Sequence, residues 1–195
     1  MLNTTFELLR KAGACNIRYR YLAKALGGIK TYGRDTQITL LQILDVCGLD
    51  DALWAMSAVS EEQYTERDKI ARLFACDCAE RVLPLFEEKY PEDNRPRVAI
   101  KTARRYAMGQ ATEAERRAAE SAAREAERMA WSAGLAARAA AAGLAAGRTA
   151  GAAAVAERSA AWAARLAVAA EAARAAERQW QEARLRKYLL GEVER

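Results

Sequence analysis

Apolar residues recur at helical spacing through the first half of the chain, and beyond residue 110 they thin into a run dominated by alanine. The densest pattern lies between residues 66 and 89. There Ile70, Ala71, Phe74, Ala75, Cys78, Val82, Leu85 and Phe86 fall on one broad face, the arc that a core-facing helix needs. Arg81 projects inside that arc and Asp77 lies one turn before it, which predicts an ion pair along the helix supporting a partly buried guanidinium. Pro84 has no amide hydrogen and crowds the carbonyl of Glu80, so a bend is expected there. Asp93-Asn94-Arg95-Pro96 reads as a stop and a restart, with Pro96 suited to the first position of a helix over 96–108 that Gly109 ends.

Upstream, the same spacing predicts four shorter helices. Residues 4–13 carry Phe6, Leu8 and Leu9 behind a Thr4 or Thr5 cap, and residues 16–26 carry Ile17, Tyr21, Leu22 and Ala25 before Gly27-Gly28 stops them. Ile29 to Asp35 reads as an exposed loop. A third helix runs through Leu40, Leu41, Ile43, Leu44 and Val46 to Gly48, and Asp50 caps a fourth in which Trp54 is expected to anchor the core. Ser60 to Glu66 is a polar linker.

In the tail, Thr112 and Glu115 have the spacing of a reciprocal cap, so a long helix starts there. One helix from there to Leu190 would exceed roughly 110 Å, which favours a fold-back. Gly147 to Thr149 supplies a stop and a cap, giving antiparallel helices over 113–146 and 150–190; a break near Gly134 is the alternative. Gly143, Gly147 and Gly151 would instead form a small-residue stripe on an unbroken helix, and the sequence leaves that competition open. Trp131, Trp162 and Trp180 follow three Ala-Glu-Arg repeats at unequal distances, which suits space-filling between alanine-rich helices and no strict repeat period. The expected fold is therefore all-α. A compact multi-helix domain over 1–109 is followed by a long alanine-rich helical hairpin over 110–195.

Composition narrows the chemistry. The chain has no histidine, which removes the commonest general base and metal ligand and disfavours catalysis. Cys76 and Cys78 diverge by about 160° on a helix and cannot clasp one zinc ion together, so Cys78 is read as a small core residue. With no phosphate-binding glycine loop either, no cofactor is expected. The four cysteines follow no disulfide spacing and residues 1–13 lack a signal-peptide core, which together fit a reducing cytoplasm. Charges interrupt the alanine-rich run, so no membrane span is expected.

The net charge of +5 is a mild bias towards an acidic partner. Arg95, Arg97, Lys101, Arg104 and Arg105 are the candidate partner-binding residues, able to take phosphate or an acidic protein surface. The alternative is a solvated helix face with Arg95 or Arg97 pairing Asp93 or Glu92. No interleaved aromatics mark a single-strand stacking platform.

Three segments resemble a known family: Asp51-Ala52-Leu53-Trp54-Ala55, Ala75-Cys76-Asp77-Cys78-Ala79-Glu80-Arg81-Val82-Leu83-Pro84, and Arg95-Pro96-Arg97 followed by Ala99-Ile100. The chain is similar to immunity proteins of bacteria and their phages, whose tails are also rich in alanine and tryptophan. The resemblance implies an immunity-type role, in which the protein neutralises a toxin or another effector by stoichiometric binding. It carries over no individual functional residue. A phage-encoded inhibitor of a bacterial defence nuclease, such as a CRISPR complex, is the alternative, and a nucleic-acid-binding protein is the second alternative.

Overall fold

The computed structural model describes residues 1–129 and 171–193. The described residues are predominantly helical, with one two-stranded antiparallel sheet. The expected turn near Gly147, the alternative break at Gly134, the glycine stripe, Trp131 and Trp162 all lie outside these residues. The chain forms two compact units. Met1–Arg67 with Glu182–Glu194 make the first, and the second is built from Asp68–Gln181.

In the first unit, strand β1 (Asn3–Thr4) pairs with β2 (Ile38–Thr39), Asn3 opposite Thr39. The strand displaces the start of the helix expected from residue 4. Thr5 instead caps α1 (Phe6–Lys11) by accepting from the Leu8 amide at 3.1 Å. Helix α2 (Asn16–Ala25) follows, and a short α3 (Ile29–Tyr32) occupies part of the expected loop. Helix α4 (Leu40–Cys47) begins with a reciprocal cap, Thr39 Oγ1 accepting from the Gln42 amide at 3.1 Å and Gln42 Oε1 from the Thr39 amide at 2.8 Å. Gly48, at φ +84°, turns the chain directly into α5 (Leu49–Ala55), so Asp50 lies in the first turn rather than before it. Phe6, Ile38, Leu40, Ile43, Leu49, Leu53 and Met56 are buried together as the core, whereas Trp54 is half-buried.

Helix α6 (Tyr64–Lys89) starts inside the expected linker, and Pro84 sits within it. Every residue from Ile70 to Ala79 is buried. A helix covered on all sides explains why Cys76 and Cys78, which point apart, are both in the core. Past Ala79 the cover narrows to the side of Val82, Leu83 and Phe86, and Leu85, expected inside, is 54% exposed. Helix α7 (Arg95–Ala107) has Pro96 in its first turn and packs against α8 (Glu113–Met129). Thr112 and Glu115 form the predicted cap of α8. The last described helix, α9 (Glu171–Leu190), supplies Leu185, Tyr188 and Leu189 to the buried set of the first unit. No helix among the described residues is long and apolar enough to cross a membrane.

Candidate functional site

The five cations singled out above lie on α7, and four of them are held by carboxylates. Arg95 grips Asp93 with Nε at 2.8 Å and Nη2 at 2.7 Å, while the Arg95 amide donates to the same carboxylate at 3.2 Å. These bonds hold the Asp93 carboxyl below its ordinary range. Arg97 forks onto Glu87 with two 2.6 Å bonds, which lowers the Glu87 pKa in the same way. Arg104 donates from Nη1 to Asp77 at 2.8 Å and from Nη2 to Glu80 at 2.7 Å. Arg105 reaches the Gln110 carbonyl at 2.8 Å and Glu115 at 3.4 Å. Lys101 is exposed and makes no ion pair among the described residues.

These contacts have a structural logic. Arg97 opposite Glu87 and Arg104 opposite Asp77 fix α7 antiparallel to α6, with the Cys76 thiol 3.8 Å from the Ile100 carbonyl between them. Burial pushes that thiol up to about 12. The expected pairing of Asp77 with Arg81 does not form. Asp77 takes Arg104 from α7, and Arg81 turns to α9, its Nε and Nη2 each 2.9 Å from Glu177 Oε2 and its guanidinium 4.2 Å over the Trp180 ring. Opposite charges arriving from neighbouring helices outcompete the one a turn away, because burying them together removes each from water with a partner. Trp180 thus stacks under a cation and is half-buried.

A second charged cluster joins α8 to α6 and α7. Arg116, 1% exposed, donates from Nε and Nη2 to Glu113 at 2.8 Å each and from Nη1 to Glu120 at 3.0 Å. The Tyr106 ring lies between two guanidiniums, Arg72 at 4.9 Å and Arg116 at 5.6 Å. Burial lowers the Arg72 pKa, and its Nε has no hydrogen-bond partner among the described residues. The alanine-rich composition of this stretch gave no hint that its arginine would be a core residue.

The outer side of α2 carries a further feature that helical spacing alone does not reveal. Ile17 and Tyr21, which share the apolar spacing of the helix, are 77% and 53% exposed, beside exposed Arg20 and Lys24.

Among the described residues the fold is all-α apart from one pair of two-residue strands, and ion pairs tie α6 to α7 and to α9. The family model described as Imm-5 like putative immunity protein matches residues 62–188, more than half of the chain, and the chain belongs to that family. Two of the three segments that carried the resemblance, Ala75–Pro84 and Arg95–Ile100, fall inside the matched span. No curated protein and no solved structure matches the chain.

Proposed function

We propose that this protein neutralises a protein toxin by binding it stoichiometrically in the cytoplasm. The family match over residues 62–188 carries the reading. The ion pairs that tie α7 to α6, and Arg81 of α6 to Glu177 of α9, support it physically. A surface fixed before the partner arrives loses little conformational entropy on binding, which favours a tight complex. All four cysteines are free, as suits a reducing compartment.

The test is affinity capture with the tagged full-length chain from cells that encode it, followed by co-expression with whatever protein is recovered. The expected result is a growth-arresting protein held in an equimolar complex, with growth restored in proportion to complex formed. Recovery of a defence nuclease that loses activity would point to the phage-inhibitor reading instead. A toxic partner that stays fully toxic when saturated would refute neutralisation.

A further inference from the structure

We propose that the outward face of α2 is a docking surface for an acidic protein and is where this chain recognises its partner. The proposal rests on the binding role above and specifies the surface and the partner's chemistry. Tyr19, Leu22, Ala23 and Leu26 turn inward, Tyr19 meeting Phe6 edge-on at 5.4 Å. Ile17, Arg20, Tyr21 and Lys24 stand at i, i+3, i+4 and i+7 on the opposite side, all exposed. Ile17 is 77% exposed, and Tyr21 is one turn along the helix.

The face is held in place and its charges are available. Arg18, between the two faces, donates to Asp51 at 2.6 Å and to the Cys47 carbonyl at 2.8 Å, pinning α2 to the α4–α5 turn. Arg20 and Lys24 make no ion pair among the described residues, in contrast to the arginines of α7. Residues 1–34 hold seven of the 31 Lys and Arg but only one of the 26 Asp and Glu, so the rest of the chain has 24 against 25. The whole positive excess of the protein therefore belongs to the segment that contains this face, and it selects an acidic partner.

The apolar pair decides what kind. An exposed isoleucine has no use against a sugar–phosphate backbone, and two apolar side chains on one turn fall short of the continuous stripe that seats a helix in lipid. An aromatic and an aliphatic side chain flanked by two cations is the composition of a protein–protein anchor. The face also lies outside the matched span of 62–188.

The test places photo-reactive benzoylphenylalanine at position 21 or, separately, at position 101 on α7 of the full chain, and irradiates the cells that encode it. The expected result is a protein adduct from position 21 only, with the cross-linked peptide rich in Asp and Glu. With that protein purified, Arg20→Glu combined with Lys24→Glu should weaken binding about tenfold or more, whereas Lys101→Glu should change it by less than about twofold. Unchanged melting curves for both variants establish that each is folded. An adduct from position 101 alone, or none from position 21, overturns the proposal. So does tight binding of duplex DNA or phosphatidylglycerol vesicles at physiological salt that the double variant loses. If the position-21 partner proves non-toxic, the α2 surface stands and neutralisation falls; a toxin neutralised through another face gives the reverse.

Discussion

Arg81→Met tests whether the α6–α9 ion pair of the second unit is structural. Glu177 is 9% exposed at its side chain and accepts from Arg81 twice at 2.9 Å and from Gln181 at 3.2 Å. Deleting one partner of a fully buried pair costs about 3–5 kcal/mol, because the other charge stays behind. Arg81 keeps 42% of its side chain exposed, so water reaches the edge of the site and the upper end does not apply. The lost stacking on Trp180 adds about 0.5–1 kcal/mol, while methionine keeps much of the aliphatic packing. The net cost should be about 2–3 kcal/mol, or a Tm about 5–10 °C lower for a chain of this size. Urea unfolding followed by far-ultraviolet circular dichroism and tryptophan fluorescence measures it. Glu177→Gln should cost about 1–2 kcal/mol, and combining it with Arg81→Met should reveal a coupling of about 1–3 kcal/mol. A single-variant cost below about 0.5 kcal/mol, or no coupling, would show the pair to be an ordinary solvated contact and refute the reasoning.

Three further outcomes follow from the same structure. The Glu113, Glu87 and Asp93 carboxyls are held below their ordinary range by arginine hydrogen bonds, so the folded state binds protons less readily than the unfolded chain. Their stabilisation is therefore complete above about pH 4.5 and drains away below it; a urea midpoint that rises on acidification would contradict this. A thiol reagent should modify exposed Cys15 first, its pKa lowered by backbone hydrogen bonds, and Cys47 more slowly. Cys76 and Cys78, both buried and shifted upward, should react only on unfolding, which mass spectrometry with and without denaturant would read directly. Gly33→Ala should destabilise by about 1–2 kcal/mol in thermal melts, because Gly33 sits at φ +96° and a β-carbon would lie 2.6 Å from Thr36 Oγ1; an unchanged Tm would mean the turn rearranges freely.

What could be read in advance was local. Gly48 and Gly109 end their helices, Thr112 and Glu115 cap one, and Pro96 opens another, because each signal acts within a turn of its own residue. The β1–β2 pair was not legible, since two-residue strands leave no alternation to detect and the pairing joins residues 36 apart. Leu85 was misplaced because periodicity defines a face but not how far its cover extends. At the candidate site Arg97, Lys101, Arg104 and Arg105 fall on the expected helix, which begins one residue earlier and so takes in Arg95, and Asp93, two residues from Arg95, was a readable partner. Glu87, Asp77 and Glu80 as partners for Arg97 and Arg104 were not, since only tertiary packing decides which opposite charge comes within reach. The α2 face was hidden by averaging: a net charge over the whole chain conceals a segment that holds the entire excess.

The first unit is assembled from both ends of the sequence, with Arg186 of α9 reaching Asp45 of α4 across 141 positions. During synthesis its residues up to Arg67 emerge early, yet the segment beginning at Glu182 is translated more than a hundred residues later. At about 5–20 residues per second that is a wait of roughly 6–23 s, in which the nascent first unit lacks Leu185, Tyr188 and Leu189. A chain truncated in the alanine-rich stretch would lack these three buried side chains of its first unit. Synthesis past Leu189 thus precedes the completed core of the first unit, and shorter products lack part of it.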